Sequence, residues 1–140
     1  MQHFLIKTEP GTYSFDDLAK ERHTTWSGVT NALALKHIRS MKEGDECVLY
    51  HTGDERQGVG IARVIRAPYV DPKANNPKLI VVDLLCGERF PKPVTLASMR
   101  EMPVFQDFDL LRLPRLSIVP MTNAHYLEMI KLAGLSGRRR

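Results

Sequence analysis

The sequence predicts an α+β fold in which strands occupy the middle of the chain and helices flank them. Residues 46–52 and 58–67 are interpreted as strands with alternating side chains, and residues 79–85 form a nearly continuous aliphatic run. Residues 31–41 and 123–133 instead repeat their apolar positions at helical spacing. These observations favour a central sheet with helices packed on its flanks.

The chain of 140 residues is long enough to bury one proper core. It contains no repeat, no low-complexity segment and no linker long enough to divide domains. We therefore expect a single domain over residues 1–135, followed by a basic tail of residues 136–140.

The charge balance is basic, with 20 Lys and Arg against 16 Asp and Glu and a net charge of +4. Three of the cations are residues 138–140, so the rest of the chain is close to neutral. A phosphate-bearing partner is permitted, but a basic surface would have to come from local clustering of charges.

The cysteine spacing and the length of the apolar runs indicate the cellular compartment of the protein. Cys47 and Cys86 are far apart and show no pairing pattern, which indicates reduced thiols. The first apolar run is too short for a signal peptide, and no run approaches the ~20 residues that span a bilayer. We expect a cytoplasmic location, or a nucleoid or nuclear compartment open to the cytoplasm, and no membrane partner.

The amino-terminal elements follow from local signals. Residues 4–7 form a short buried strand that ends at a Glu-Pro-Gly turn. Ser14 is the predicted N-cap of a helix over residues 15–22, and Asp17 supplies the acid of a capping box. In the helix over residues 31–41, cations lie on or near the side opposite the apolar face. The apolar residues are Ala34, Leu35, Ile38 and Met41, and the cations are Lys36, Arg39 and Lys42.

The middle of the chain is predicted to be rich in β structure. Val59, Ile61 and Ile65 are expected to share one face of their strand. Residues 68–77 form a loop by composition, and residues 79–85 follow as a strand buried on both sides.

The last third of the chain ends in an amphipathic helix. Residues 95–100 and 110–113 are predicted helical turns, and residues 116–119 a last strand ended by Pro120. Residues 123–133 form the final helix. Its caps are Thr122 and Gly134, and its inward residues are Tyr126, Met129, Ile130 and Ala133.

No known catalytic constellation is present. The chain lacks a G-x-S-x-G elbow, a Cys/His nucleophile setting and a Walker A sequence. Gly58 and Gly60 lie inside a strand pattern, where they indicate close packing rather than a dinucleotide loop. The five histidines and two cysteines have no metal-ligand spacing, so we expect neither a metal nor a cofactor.

Three polar or aromatic clusters stand out at or near the ends of predicted strands, where functional sites gather. They are residues 7–10, residues 26–31 and residues 50–52. The second holds the only tryptophan, Trp26, which is either a core anchor or a platform for a stacked base. No second ring is evident beside it.

With these clusters in view, the chain resembles an EVE domain, a branch of the PUA-like family, over nearly its whole length. The motifs are Lys7-Thr-Glu-Pro with Tyr13-Ser14, Trp26-x-Gly-Val-x-Asn31, Met41-x-x-Gly44-Asp45, Tyr50-His51, residues 58–64, Ala67 with Tyr69-x-Asp71-Pro72, and residues 115–120. The resemblance implies a PUA-like curled β-barrel with flanking helices and a central pocket.

EVE domains are similar to YTH domains, which hold a methylated RNA base in an aromatic cage, and are themselves proposed readers of modified bases. The resemblance thus implies a nucleic-acid partner, DNA or RNA, with a modified base such as a cytosine derivative. The implied base-pocket residues are Lys7, Thr8, Glu9, Trp26, Ser27, Gly28, Val29, Asn31, Tyr50, His51 and Thr52. The implied contacts to the nucleic-acid backbone are Lys36, Arg39 and Arg115. This sequence departs from the family pattern at four positions. Thr30 and Leu35 stand where relatives commonly have arginine, Ala32 where they have an aromatic residue, and Leu79 where they often have tryptophan.

Several of these residues have a structural alternative. Asn31 would serve equally as a helix cap, and His51 as a hydrogen-bonded core residue. Lys7 would cover apolar surface or pair with Glu9. Lys36 and Arg39 also fit a solvated helix face.

A second class of function stays open alongside the binding module. Lys7, Glu9, Tyr50 and His51 could supply an acid or base in the same pocket. The alternative is therefore an enzyme or small-molecule-binding protein that acts on a free nucleobase, nucleoside or related metabolite.

Overall fold

The computed structural model describes residues 1–135, which form one six-stranded sheet with helices around it. The strands are β1 (His3–Thr8), β2 (His23–Trp26), β3 (Glu46–His51), β4 (Gln57–Val70), β5 (Ile80–Thr95) and β6 (Ile118–Met121). The helices are α1 (Phe15–Glu21), α2 (Ala32–Arg39), α3 (Leu96–Arg100), α4 (Asp109–Arg112) and α5 (Asn123–Ala133), with a 3-10 turn at Pro103–Phe105. The α+β class is confirmed, and the predicted tail, residues 136–140, lies outside the described residues.

The strands are ordered β2-β5-β4-β3-β1-β6 across the sheet. β1 runs parallel to β3, and the other neighbouring pairs are antiparallel. In the parallel pair, Lys7 lies opposite Tyr50 and Thr8 lies opposite His51. The first and third polar clusters therefore meet at the ends of two adjacent strands.

The sheet is open, so the prediction of a β-barrel is wrong. β2 and β6 are its two edges, and within residues 1–135 they pair only with β5 and β1, respectively. Each edge strand has four residues, so few backbone groups remain to pair with a further strand. α2 packs against β4, β5 and β6, so a helix rather than a strand ladder spans this side of the sheet.

Helix ends follow the predicted capping signals. The Ser14 hydroxyl accepts from the Asp17 N–H, and the Asp17 carboxylate accepts from the Ser14 N–H. Thr122 caps α5 through the His125 N–H, and Gly134 ends α5 at φ 85°, a left-handed conformation. The predicted helix boundaries are confirmed to within two residues.

The predicted strand faces needed more correction. Ile65 is 41% exposed and does not share the buried face of Val59 and Ile61, because the register of β4 and β5 shifts between Val64 and Arg66. β3 is buried along its whole length instead of alternating, since it lies in the middle of the sheet. β5 continues to Thr95, far beyond the predicted residues 79–85, and its Cys86 is only half-buried.

Both edge strands also differ from the prediction. β2 was not expected, because its residues are polar and its pairing partner, β5, is distant in sequence. Pro120 lies inside β6 rather than ending it. An edge strand tolerates proline because one side of its backbone has no ladder to form.

α1 sits directly on the sheet because Gly60 has no side chain. A Cβ at Gly60 would lie 2.2 Å from the ring of Phe15, which is 2% exposed. The predicted close packing at this glycine is confirmed, and it fixes the helix that follows Tyr13. No helix within residues 1–135 is long and apolar enough to cross a membrane.

Candidate functional site

A cavity of about 440 Å³ lies where β1 and β2 end, and we call it the first cavity. The turn after β1, the end of β2 with the loop after it, and Ser117 form its walls. The predicted base-pocket residues that line it are Lys7, Thr8, Glu9, Trp26, Ser27, Gly28 and Val29. The first two polar clusters of the sequence therefore share one cavity.

Trp26 ends β2, opposite Val82 of β5, and is half-buried. Its side chain packs against the hydrophobic core and also lines the first cavity. The two alternatives for this residue are therefore compatible, because one ring is both an anchor and a wall.

A second ring, Tyr13, meets Trp26 edge to face, with ring centroids 5.8 Å apart and planes inclined at 79°. The two residues belong to different elements, so no pattern in the sequence indicated the pair. The signals for Tyr13 itself were its position in the turn that follows the first strand and its place in the Tyr13-Ser14 motif. The cavity is thus more aromatic than the lone tryptophan suggested.

The phenol of Tyr13 is held in its neutral form. Its hydroxyl donates to the Glu21 carboxylate. Partial burial, followed by the Glu21 carboxylate, raises the pKa of Tyr13 to about 12. Near neutral pH, this wall of the cavity therefore carries no charge.

The turn after β1 is fixed by its own hydrogen bonds. The Thr8 hydroxyl donates to the Tyr13 carbonyl at 2.6 Å, and the Tyr13 N–H donates to the Glu9 carbonyl at 2.9 Å. The Glu9 carboxylate accepts from the Gly11 N–H at 2.6 Å. Thr8 and Glu9 therefore line the cavity and also set the position of Tyr13.

The loop after β2 leaves polar groups free to bind a ligand. Gly28 has φ 82°, a left-handed conformation that favours glycine. Within the described residues, the Ser27 hydroxyl makes no hydrogen bond, and Ser27 is exposed. The Thr25 hydroxyl instead donates to Asp83 at 2.9 Å, which ties β2 to β5. The Ser27 hydroxyl is therefore available to a ligand, as are the Thr12 and Ser117 hydroxyls of the same lining.

A second cavity of about 330 Å³ shares Lys7 with the first. Tyr50 and Thr52 line this second cavity and do not line the first one. The Lys7 ammonium donates to the Pro114 carbonyl at 2.7 Å rather than pairing with Glu9. Burial lowers the pKa of Lys7.

Asn31 and His51 line neither cavity. Asn31 is the N-cap of α2, and its side-chain oxygen accepts from the Ala34 N–H at 2.9 Å. His51 Nε2 accepts from the Phe15 N–H at 3.0 Å, and Nδ1 bonds to Glu55 at 2.8 Å. Both residues therefore hold α-helix starts in place.

The three cations predicted to contact a nucleic-acid backbone are exposed. Lys36 and Arg39 lie on α2, whereas Arg115 lies in the segment between Pro114 of the second cavity and Ser117 of the first. Of the three, Arg115 is thus nearest in sequence to both cavities. Residues 1–135 contain no group of three or more His, Cys, Asp or Glu side chains arranged to hold a metal ion.

The open sheet, its flanking helices and the cavity at the end of β1 define a small PUA-like α+β domain. The family model of the EVE domain matches residues 2–132, so the chain belongs to the EVE domain family.

Known relatives cover almost the whole chain. Human thymocyte nuclear protein 1 is 27% identical over 164 aligned residues, which are 93% of this chain and 73% of that protein. A crystal structure from Agrobacterium tumefaciens is 32% identical, with a TM-score of 0.93, and covers 98% of this chain and 96% of that one. The crystal structure of human THYN1 in complex with DNA containing 5-methylcytosine is 25% identical, with a TM-score of 0.84, and covers 95% of this chain and 98% of that one.

Proposed function

We propose that this chain is a nucleic-acid-binding module that accepts one modified nucleobase in the first cavity, against Trp26 and Tyr13. The observation that carries the proposal is the edge-to-face ring pair in the wall of a cavity of about 440 Å³. The THYN1 complex with DNA that contains 5-methylcytosine supports it from a relative of the same family. A cytosine derivative is accordingly the first base to test.

The rings and the polar groups would contribute differently. Stacking a base on an aromatic side chain contributes about 1–3 kcal/mol, whatever the base. One additional buried methyl group contributes about 0.8 kcal/mol, a few-fold in affinity. Strong selectivity therefore requires polar groups that the wrong base leaves unpaired, and the Ser27 hydroxyl is one candidate in this cavity, beside those of Thr12 and Ser117.

Binding of labelled oligonucleotides tests the proposal directly. Single-stranded and duplex oligonucleotides with 5-methylcytosine, other modified cytosines or modified adenines are compared with unmodified oligonucleotides of the same sequence. We expect one modified base to bind at least a few-fold more tightly than its unmodified counterpart. Single strands should bind best, because flipping a base out of a duplex costs a few kcal/mol. Equal affinity for every base would refute base reading.

The alternative function, action on a free nucleobase or nucleoside, has less support in the structure. Tyr50 lies in the second cavity, and both ring nitrogens of His51 are hydrogen-bonded. The four side chains considered as a catalytic acid or base are therefore not gathered in one cavity; they are Lys7, Glu9, Tyr50 and His51. A thermal-shift screen in which free nucleosides stabilise the protein and oligonucleotides do not would favour this alternative.

A further inference from the structure

The second cavity is lined by two arginines that have no ion-pair partner within residues 1–135. Among the arginines of residues 1–135, Arg63, Arg66, Arg89 and Arg112 have a carboxylate within 4 Å, whereas Arg22, Arg39, Arg56, Arg100 and Arg115 do not. Arg56 and Arg100 line the second cavity, and neither pairs with a carboxylate within residues 1–135. Two guanidinium groups at one cavity without a protein anion are typical of a site for an external anion.

Tyr50 adds an unused donor to this cavity. The residue is 3% exposed, and its hydroxyl makes no hydrogen bond within the described part of the chain. Because this oxygen faces the cavity and is not sealed from solvent, the hydroxyl is available to donate a hydrogen bond to a ligand. Burial raises the pKa of Tyr50, so the hydroxyl keeps its proton near neutral pH.

The cavity wall is also held in an unusual backbone conformation. Arg56 has φ 48°, in the left-handed region that non-glycine residues rarely adopt. Its carbonyl accepts from the Leu96 N–H at 2.9 Å, which anchors this loop to α3, the helix that carries Arg100. Such strained conformations cluster at ligand sites.

Three carboxylates lie near the second cavity, and the Glu9 carboxylate approaches Gly53 in its lining. Glu55 binds His51 and Gln57, and the Glu9 carboxylate binds the Gly11 N–H. Asp54 is exposed in the same loop as Glu55. None of these three acids lines the second cavity.

We infer that the second cavity binds a backbone phosphate of the nucleic-acid strand whose base enters the first cavity. Lys7 lines both cavities. It lies opposite Tyr50 in the neighbouring strand, and neighbouring strands of a sheet are about 4.8 Å apart. A phosphate close to the bound base would therefore reach Arg56 and Arg100. This inference rests on the proposed function and assigns the neighbouring site to the backbone of the same ligand.

The salt dependence of oligonucleotide binding tests the inference. The double variant Arg56→Gln/Arg100→Gln is compared with Lys92→Gln/Lys131→Gln, which removes two exposed charges outside both cavities. For a single strand, we expect the slope of log affinity against log salt to fall by about 0.7 for each phosphate that the arginine variant no longer neutralises. The preference for the modified base should persist in the arginine variant, since the first cavity is intact.

Inorganic phosphate provides a test that does not depend on base reading. Saturable changes in the amide resonances of Thr52 and Gly53 are expected in the unmodified protein and should be absent from the arginine variant. No saturable change would overturn the anion site even if oligonucleotides bind. An unchanged salt slope, or a nucleoside monophosphate that competes as well as an oligonucleotide, would overturn the assignment to a backbone phosphate. If the unmodified protein showed no preference for a modified base while the phosphate and salt results were as expected, only the proposed function would be refuted.

Discussion

The rings of Trp26 and Tyr13 meet edge to face in the wall of the first cavity, with centroids 5.8 Å apart and planes inclined at 79°. Each ring is secured separately: Trp26 packs on the core at the end of β2, and the Tyr13 hydroxyl is bound by Glu21 of α1. Because both rings are already positioned, a stacked base would lose little of its binding energy to ordering the protein.

Replacing Trp26 with alanine should weaken oligonucleotide binding and also destabilise the fold, because the ring lines the first cavity and packs against the core. Loss of one stacking surface corresponds to about 1–3 kcal/mol, or roughly 5- to 150-fold in affinity. Fluorescence anisotropy measures this change, and Trp26→Phe should retain part of the affinity as a matched control. A drop in melting temperature with affinity preserved would show that Trp26 acts only as a core anchor.

The stability that Tyr13 contributes should disappear at alkaline pH. Its pKa is raised from 10.0 to about 12, so folding favours the protonated phenol. That contribution is complete below about pH 10 and is lost as the pH rises to about 12. Urea unfolding of the unmodified protein and Tyr13→Phe should show a stability difference that shrinks across this range. A difference titration of the phenolate absorbance centred near pH 10 would contradict the expectation.

Features with local signals were predictable from the sequence, and features that need distant partners were not. The Ser14–Asp17 capping box and Gly134 act within one helical turn, so both could be read directly. β2 exists because it pairs with β5, and the Tyr13–Trp26 contact depends on that pairing. Neither leaves a periodic pattern in the sequence.

Only part of the candidate site could be predicted, because some of its residues have local signals and their grouping depends on distant pairing. Residues 7–9 and 26–29 end or follow strands, and the fold brings them to one cavity. Residues 50–52 end the neighbouring strand, yet Lys7 lies between the two cavities and Tyr50 lines the second. The wall that divides the two cavities depends on the strand register, which short motifs do not specify.

Asn31 is expected to act through the helix it caps. Asn31→Ala should destabilise the protein by about 1 kcal/mol, because the Ala34 N–H loses its acceptor. Asn31→Ser keeps a capping oxygen and should preserve both the melting temperature and the affinity for oligonucleotides. If Asn31→Ser retained stability and lost affinity for the preferred base, the side-chain amide would be reading a base edge.

Gly60→Ala should destabilise the fold through a clash with one identifiable ring. The new Cβ would lie 2.2 Å from Phe15, and overpacking of this kind costs about 1–3 kcal/mol. Phe15→Leu makes room, so the double variant should be less destabilised than the sum of the single variants. Chemical denaturation of the four proteins measures this coupling, and strict additivity would mean that the clash is relieved elsewhere.

His51 is expected to be needed for the fold and not for binding. Its Nε2 accepts from the buried Phe15 N–H, so His51→Ala should leave that donor unpaired at a cost of about 1–3 kcal/mol. Glu55→Gln changes the partner of Nδ1 and of the Gln57 side chain, both at a partly exposed carboxylate, and should cost less. Denaturation midpoints and oligonucleotide affinities are measured on the same preparations, well below each melting temperature. Since His51 lines neither cavity, affinity should change by no more than a few-fold, and a large loss of affinity at unchanged stability would instead place His51 in the binding site.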